Sequence, residues 1–470
     1  MGLKRISKQL LALFSIENLG KYWQYCQLYG FSSATRLALR RIRKPKGAPP
    51  AYPALLNSFP AARPEIAPVE KTVSVIIPTL NAGNNIQHLL RLLNEQEGIR
   101  KCEVIVVDSG STDDTVVTAE NEGALVSRIE PHQFTHAFAR NKGAETAQGD
   151  YLLFMVQDAL PLTRRWIYEM LSFMETHGVA AVSCAEFPRA DSDLFYQFLI
   201  DSQSNDLGLS FDRVAGWDDS CASVLGLRAN AHLSDIAALI RSDIFARYRY
   251  RAGYAEDLDL GVRLIRDGHK LGFLCSTKVL HSHNRTPYYF LKRGYADVRF
   301  LTDVLPNFVY PEIENKARLY RDIIGLQARV GGLGTIVEQQ TFPVRTSTLA
   351  DLFRSKLENG GIVTGDVPDL QFRQLLALLA GDSGLQDHKL EGRSIIWPHA
   401  RRHLENLKNW LSKIYVEVDG ALAAEMADTF AKVVALHCGT HLGYLFLSRA
   451  AHSELDESLW QLDSQLRAGI

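Results

Sequence analysis

Residues 73–108 read VSVIIPTLNAGNNIQHLLRLLNEQEGIRKCEVIVVD and set the pattern for the fold. Two short apolar runs, VSVIIP (73–78) and EVIVVD (103–108), flank a stretch with helical spacing from about 85 to 95. Short, continuous apolar runs are typical of strands that are buried on both faces. Strands that alternate with helices predict a parallel sheet covered by helices on both sides, which is an α/β fold.

The alternation continues along the chain. Further strands are predicted at 124–129, 151–156 and 180–185, and helices after residue 163 to about 177, near 234–248 and from Glu256 onward. The stretch 186–232 is rich in Asp, Ser and aromatic residues and is predicted to be irregular. Beyond about Pro311 the sequence is typical of helix. One near-heptad apolar stripe there predicts ordinary bundle core rather than a coiled-coil partner site; it consists of Leu404, Leu407, Leu411, Ile414, Tyr415 and Val418.

The chain has 470 residues and a net charge of −1, which excludes a dedicated nucleic-acid binder because such domains are usually strongly basic. The charge is distributed unevenly. Residues 1–46 hold ten basic side chains and one acid, Glu17, so this segment carries +9 and the remainder −10. We expect either an arm that meets anionic membrane phospholipid or a solvated tail. Within this part, 1–44 is predicted to be a basic helical arm and 45–71 a proline-rich linker.

The six cysteines are widely scattered and form no C-x-x-C pair, which indicates free thiols in a reducing compartment. The N-terminal stretch has no small-residue cleavage site, so we expect no signal peptide. No run of 18 apolar residues occurs, so no segment is expected to span a bilayer. The sequence therefore predicts a cytoplasmic protein, with the basic arm available for peripheral contact with the cytoplasmic face of the inner membrane.

Acidic residues follow the predicted strands, where ligands of α/β sheets bind, whereas the common glycine-rich phosphate-binding motifs are missing. Asp108 ends EVIVVD; it could accept hydrogen bonds from a pyrimidine base and a ribose, or could simply cap the next helix. Asp158 follows YLLFMV; it could hold a hard divalent cation, or could serve a turn before Pro161.

A second group of candidates comes later in the chain. Glu256 and Asp257 start a helix, where the helix dipole favours acids and where a general base is the functional alternative. His281 and His283 follow the last predicted strand of this part. A neutral imidazole there could complete the coordination of a metal, although a lone histidine is more often structural.

The order and spacing of these motifs resemble glycosyltransferase family two over about residues 72–300. The motifs are VSVIIPTLNAGNNIQHLLRLL, EVIVVDSGSTDDT, FTHAFARNKGAE, YLLFMVQDALP, GYAEDLDLGVRLIRDGHKLGF and VLHSHN. Three of these segments, FTHAFARNKGAE, QDALP and HSHN, look most like the rhamnosyltransferase-type members of the family. Those members are taken to use dTDP-L-rhamnose in building bacterial surface polysaccharides. The resemblance implies a GT-A fold for 72–305, followed by a mainly helical region over 306–470, and an inverting transfer from a nucleotide sugar to a glycan or lipid-linked acceptor.

The resemblance also implies roles for individual residues. Those implied to bind the nucleotide sugar are Thr79, Asp108, Arg140 and Asp158. Asp158 would also coordinate Mg²⁺ or Mn²⁺, with His281, or as second choice His283, as a further ligand. Asp257 would be the catalytic base that takes the proton from the acceptor hydroxyl.

One departure from the family pattern concerns the metal. The usual D-x-D motif is Gln157-Asp158-Ala159 here, so one carboxylate replaces two and should hold the cation more weakly. The rhamnosyltransferase-type members share this variation.

The acceptor is expected to meet Trp217 and Asp218 in the irregular stretch, together with Glu256, because an aromatic platform with hydroxyl acceptors is typical of sugar binding; Trp217 could equally be core. Two alternatives remain at this level. One is a member of the same fold that uses a UDP-hexose or UDP-N-acetylhexosamine. The other is a catalytically silent scaffold.

Overall fold

The computed structural model describes residues 69–251, 253–305, 308–359, 369–382 and 394–468. The predicted basic arm and all but the last three residues of the predicted linker lie outside these ranges. The predictions for the arm and its membrane contact are therefore not addressed by the fold.

Within the described residues, nine strands form one mixed sheet. They span Val69–Thr79 (β1), Ile99–Asp108 (β2), Leu125–Arg128 (β3), Tyr151–Met155 (β4), Leu160–Pro161 (β5), Ala181–Phe187 (β6), Arg213–Ala215 (β7), Ala237–Arg241 (β8) and Leu271–Leu280 (β9). The strand order is β3-β2-β1-β4-β8-β6-β9-β5, and β7 pairs with β9. Strand β1 pairs in parallel with β2 and β4, and β2 pairs in parallel with β3. Strand β6 is parallel to β9. Strand β8 lies antiparallel between β4 and β6.

The helices of this domain cover both faces of the sheet. They span Asn84–Asn94 (α1), Thr115–Asn121 (α2), His136–Thr146 (α3), Trp166–His177 (α4), Leu194–Asp206 (α5), Val224–Asn230 (α6), Ser242–Tyr248 (α7) and Glu256–Arg266 (α8). Val75 and Ile77 of β1 pack into a core with α1 and α4. Ile76 between them points to the other face, into a core with α3 and α8. The alternation follows from the two-residue period of a strand and confirms the predicted α/β domain.

Two predictions of local structure are wrong. The single helix expected near 234–248 is a strand followed by a helix, because the apolar run of β8 is buried between two strands, where tertiary packing decides its conformation. The stretch 186–232, expected to be irregular, contains α5 and α6. Helix α5 is started by Asp193, whose side chain accepts a hydrogen bond from the backbone N–H of Tyr196 at 2.8 Å.

The described residues that follow the sheet domain are mainly helical, as predicted. Their helices span Pro287–Val304 (α9), Lys316–Gly331 (α10), Leu333–Glu338 (α11), Thr346–Asn359 (α12), Leu370–Asp382 (α13), Trp397–Ile414 (α14), Gly420–Ala451 (α15) and Glu457–Arg467 (α16). Val344–Arg345 (β10) pairs with Glu417–Val418 (β11). Leu404, Leu407 and Leu411 of the predicted stripe are buried in the apolar core of these helices, which confirms that they are bundle core.

Helices α9 and α15 lie unusually close together. A Cβ atom on Gly294 would collide with the carbonyl oxygen of Leu436, and one on Gly439 would collide with that of Leu291. Glycine therefore allows the two backbones to touch. By length and composition α15 could cross a membrane, but 72% of its most apolar 18-residue window is buried inside the fold, as in the core helix of a soluble protein.

Helix α9 also connects the helical region to the sheet domain. Its Leu291 and Tyr295 pack into the helical core, whereas Leu301 belongs to a core of the sheet domain. A second connection is polar. The ammonium of Lys432 on α15 lies 2.7 Å from the carboxylate of Asp193, the residue that caps α5.

Candidate active site

The first part of the site lies where β1 and β2 end. Thr79 and Asp108 are both buried, and the Thr79 hydroxyl lies 3.3 Å from the Asp108 carboxylate. The other carboxylate oxygen of Asp108 accepts hydrogen bonds from the backbone N–H groups of Gly110 and Ser111 at 3.1 and 3.0 Å. Asp108 thus stabilises its own turn and does not cap the next helix, which begins at Thr115 after the N-cap residue Asp114. Gly110 has φ +100°, a conformation that suits glycine.

The loop after β1 is fixed by its neighbours on both sides. The N–H of Asn81 donates to the Ser111 hydroxyl at 2.8 Å, and the N–H of Thr112 donates back to the Asn81 side chain at 2.8 Å. On the other side, the Gln157 amide accepts from the N–H of Leu80 at 2.9 Å and donates to its carbonyl at 3.3 Å. An aspartate could not make both bonds, because a carboxylate only accepts. Gln157 therefore holds the loop at the place where the family pattern has the first acid of D-x-D.

Asp158, His281 and His283 form a cluster whose ligand atoms all lie within 4.8 Å of one another. Nε2 of His281 is 3.7 Å from Oδ1 of Asp158, and Nδ1 of His283 is 3.6 Å from Oδ2. The two imidazoles approach to 3.2 Å between their Nε2 atoms. The structure thus brings both candidate histidines to the one carboxylate, and a carboxylate with two imidazoles fits a divalent metal ion.

The orientation of His281 is set by a second layer of side chains. Its Nδ1 atom lies 2.7 Å from the Tyr196 hydroxyl and 3.1 Å from the Glu186 carboxylate, and Tyr196 also hydrogen-bonds Glu186. Its Nε2 atom faces Asp158. Burial opposes the charged form of His281, but the hydrogen bond and charge of Glu186, together with the charge of Asp158, outweigh it and raise the pKa. Metal-binding histidines are typically held through their second nitrogen in this way.

The predicted base lies at the start of α8. Asp257 is partly buried, and its Oδ1 accepts from the N–H of Leu258 at 2.8 Å. Burial, followed by the charges of Asp235 and Glu256, raises the pKa of Asp257 to about 8. Ala255, directly before this turn, has φ +51°, a strained conformation for alanine. Perturbed acids and strained backbone tend to coincide at functional sites.

Arg140 and Glu256 support this turn from beneath. Arg140 is 0% exposed and Glu256 4%, and the two form an ion pair. Arg140 also donates to the carbonyl oxygen of Asp235 at 3.0 Å and lies over the ring of Tyr250. Both side chains are therefore buried and paired with each other, and the predicted contacts of Arg140 with the nucleotide and of Glu256 with the acceptor stay predictions.

Asp235 and His136 belong to the site and were missed from the sequence. Burial opposes the ionisation of Asp235, but the charges of Arg140 and His136 outweigh it and lower its pKa. The charge of Asp235 acts both on Asp257 and on His281, so Asp235 links the base to the metal cluster. His136 stands in the FTHAFARN motif and could have been noticed there, whereas Asp235 precedes a strand that the sequence did not predict.

Trp217 and Asp218 lie away from this site. Strand β7 runs antiparallel to β9, with Ala215 opposite Leu271, and so carries the chain to the amino end of β9, whereas His281 follows its carboxyl end. The Trp217 ring is 51% exposed beside Arg266, at the last turn of α8, so it is not core either. The Asp218 carboxylate accepts from the N–H of Ser220 at 2.9 Å and caps a short turn. The structure therefore does not bring Trp217 and Asp218 together with the other predicted site residues, and their role at the acceptor stays a prediction.

An α/β sheet with a candidate metal cluster and a perturbed acid at its carboxyl edge is typical of a ligand-binding or catalytic site. Residues 74–223 match the model of the family described as glycosyl transferase family 2, so this part of the chain is similar to that family.

Among similar proteins, the O-antigen chain rhamnosyltransferase WbaN of Salmonella anatum is 28% identical over 221 residues, which cover 46% of this chain and 67% of that protein. The O-antigen chain rhamnosyltransferase RfbN of Salmonella typhimurium is 28% identical over 228 residues, which cover 46% of this chain and 68% of that protein. The solved structure of the mannosyltransferase PcManGT from Pyrobaculum calidifontis, in complex with GDP-Man and Mn²⁺, is 18% identical, with a TM-score of 0.41 over 65% of this chain and 77% of that chain.

Proposed function

We propose that this chain is an inverting, metal-dependent glycosyltransferase that moves L-rhamnose from dTDP-L-rhamnose to a hydroxyl of a glycan or lipid-linked acceptor, in the synthesis of a bacterial surface polysaccharide. The family 2 domain and the two similar O-antigen rhamnosyltransferases support the class of reaction and the sugar. The observation that carries the proposal is the placement of the cluster of Asp158, His281 and His283 at the same sheet edge as Asp257.

Asp158 and His281, with His283 beside them, would hold the cation, which when bound neutralises negative charge on the leaving diphosphate. One carboxylate and two imidazoles suit Mn²⁺ better than Mg²⁺, which prefers an all-oxygen shell. The hydrogen bonds of Tyr196 and Glu186 to His281 keep its Nε2 directed at Asp158.

Asp257 supplies the base of a single displacement. The acceptor oxygen forms a bond to the anomeric carbon while the bond from that carbon to the diphosphate oxygen breaks, and the hydroxyl proton passes to the Asp257 carboxylate. A well-placed general base contributes roughly 10²–10⁴-fold. The buried pair of Arg140 and Glu256 keeps the start of α8 in place, and no covalent sugar–enzyme bond is needed.

The nucleotide would lie over the turns after β1 and β2, which Thr79, Asp108 and Gln157 hold in position. Phe134 and Phe138 are 37% and 40% exposed near the start of α3, beside this edge, and offer apolar surfaces for a base or a sugar. They replace Trp217 as the aromatic candidates. A lipid-linked acceptor would place the enzyme at the cytoplasmic face of the membrane, where the basic residues of 1–46 would add attraction to anionic lipid.

The central experiment compares Asp257→Asn with Asp259→Asn. Asp259 lies half a turn further along α8 and pairs with Arg263 at 2.8 Å and with Arg251 at 3.2 Å, so it serves as a matched structural control. We expect Asp257→Asn to bind dTDP-L-rhamnose with MnCl₂ in calorimetry but to lose at least about 10²-fold in transfer. Asp259→Asn should retain turnover. Full turnover by Asp257→Asn would rule out this residue as the base.

A donor panel tests the sugar. Nucleoside diphosphate release is measured with dTDP-L-rhamnose, UDP-glucose, UDP-GalNAc and GDP-mannose, with MnCl₂ and a detergent extract of bacterial lipid-linked glycans. We expect the highest kcat/KM for dTDP-L-rhamnose. Preference for a UDP sugar would replace the proposed donor and keep the reaction class. Failure to bind any of the four donors would favour the scaffold alternative.

A further inference from the structure

A second group of histidines lies in the helical region, remote in sequence from the candidate active site. His399 and His403 are one turn apart on α14, and His437 and His441 are one turn apart on α15. Nδ1 of His399 lies 3.2 Å from Nε2 of His441, and Nδ1 of His403 lies 3.2 Å from Nε2 of His437. The two helices thus face each other through two imidazole pairs, which we call the bundle histidines.

The spacing within each pair matches what a metal ion requires. Nitrogen ligands at 2.0–2.1 Å from a tetrahedral Zn²⁺ stand about 3.3 Å apart. Each pair already offers two nitrogens at nearly that separation, and the pairs follow each other at about 6 Å along the helices, the rise of four residues. A cation at either pair would be completed by water.

The surroundings set the orientation and provide access. Nδ1 of His441 lies 2.7 Å from the carbonyl oxygen of His437, which requires the proton on Nδ1 and leaves the lone pair of Nε2 directed at His399. His441 is 1% exposed, and His399 is exposed at the rim, so a cation can reach the pair from solvent.

We propose that the bundle histidines bind a borderline divalent cation of the Zn²⁺ type, which links α14 to α15 and stabilises the helical region. An all-imidazole set favours Zn²⁺, Ni²⁺ or Cu²⁺ over Mg²⁺ and Mn²⁺, so this site and the cluster at Asp158 would select different ions. The link between α14 and α15 adds to an apolar core that already joins them.

The test uses the full chain without a histidine tag, from which bound metal has been removed with EDTA. The chain carries His281→Ala and His283→Ala, which remove the candidate metal cluster at Asp158. ZnCl₂ is titrated by calorimetry, and the thermal midpoint is recorded with and without ZnCl₂. We expect saturable binding of Zn²⁺ and a rise of several degrees in the midpoint, since a ligand of the folded state stabilises it. MnCl₂ should neither bind saturably nor raise the thermal midpoint.

Variants in the same background assign the ligands. We expect His399→Ala/His441→Ala or His403→Ala/His437→Ala to weaken Zn²⁺ binding by more than about tenfold, the loss that even an outer-shell change can cause. His452→Ala, an exposed histidine just past the end of α15, is the matched control and should keep the affinity. If a double variant does not fold, the single variant His399→Ala is measured in its place. The His399 side chain is exposed, so its removal should leave the fold intact. Unchanged Zn²⁺ affinity in these variants, or no Zn²⁺ binding before they are made, would overturn the proposal.

Discussion

The carboxyl edge of the sheet and the helical region differ in the kinds of side chain that they bury. At the edge, Arg140 and Glu256 are buried as an ion pair, Asp257 lies beside the acid Asp235, and Ala255 adopts a strained conformation. In the helical region the interior is mostly an apolar core, into which a smaller number of polar side chains such as Lys432 and His441 are set. Buried charge and strain generally lower stability and persist where function requires them, whereas apolar packing raises it. The contrast indicates that the edge is selected for chemistry and the helices for stability.

The strongest expected effect on stability comes from removing half of the buried ion pair. Arg140→Met leaves the Glu256 carboxylate buried without its partner, and we expect a loss of about 3–5 kcal/mol in the free energy of unfolding. Urea unfolding of the purified chain measures it. Arg91→Met, which removes an exposed partner of Glu122, is the control and should change stability by less than about 1 kcal/mol.

A second change at the same pair refines the result. Arg140→Met combined with Glu256→Leu removes both charges and should recover a large part of the lost stability, because an apolar pair needs no partner. If the double variant is no more stable than Arg140→Met, then the pair is held by geometry that apolar side chains cannot replace. A small loss in Arg140→Met itself would contradict the view that each buried charge of this pair depends on its partner.

The next effect belongs to the helical region. Gly439→Ala would place a methyl group against the backbone of Leu291, and we expect a loss of about 1–3 kcal/mol as α9 and α15 move apart. Gly334→Ala is the control, since a Cβ there meets nothing within 4 Å, and it should gain up to about 1 kcal/mol. Mn²⁺ affinity of the folded protein should stay unchanged in both variants. A loss of Mn²⁺ affinity in Gly439→Ala would show that the contact of α9 with α15 also supports the candidate metal cluster.

Much of the sheet and of the metal cluster could be predicted from the sequence. The runs that became β1, β2 and β4 are apolar over four or more residues, because both of their faces are covered, and such runs are easily recognised. Strands with parallel neighbours end at one edge, so residues just after them meet in space. That rule placed Asp108, and it placed Asp158 on the same side as His281.

Other features depend on contacts that no local pattern encodes. The run of β8 is compatible with helix in isolation, and its burial between β4 and β6 makes it a strand. Missing β8 also hid Asp235, which precedes it. Trp217 and Asp218 look like sugar-binding residues, and only the antiparallel pairing of β7 with β9 shows that they lie toward the amino end of β9, away from His281. The burial of Arg140 depends on Glu256, 116 residues later in the chain.

A smaller effect tests whether the two regions are coupled. Lys432 of α15 is buried against Asp193, which caps α5, and α5 carries Tyr196 to His281. Lys432→Met should lower stability by about 1–3 kcal/mol and also weaken Mn²⁺ binding several-fold, because α5 loses its anchor.

Calorimetry with MnCl₂ measures the weakening of Mn²⁺ binding, which Lys432→Met would not produce if Lys432 only stabilised the fold. Lys408→Met is the matched control, since Lys408 pairs with Asp351 at 2.6 Å within the helical region. It should lose stability without losing Mn²⁺ affinity, and Lys432→Arg should restore both properties. Equal Mn²⁺ affinity in the two methionine variants would show that the regions are independent.

The last effect concerns the dependence of stability on pH. The pKa of Asp257 is about 8 in the folded protein and about 4 in the unfolded chain, so between these values the folded state holds a proton that the unfolded state has lost. This group therefore lowers stability progressively as the pH rises from about 4 to 8. An asparagine side chain cannot ionise, so Asp257→Asn should unfold at a higher temperature than the native chain at pH 8, with a smaller difference at pH 5. Thermal midpoints without metal ions measure it, and Asp259→Asn should instead lose stability, because it breaks ion pairs. Parallel midpoint curves for Asp257→Asn and the native chain would mean that Asp257 is not under strain. A gain in stability that accompanies a loss of transfer would show that this acid is kept for chemistry.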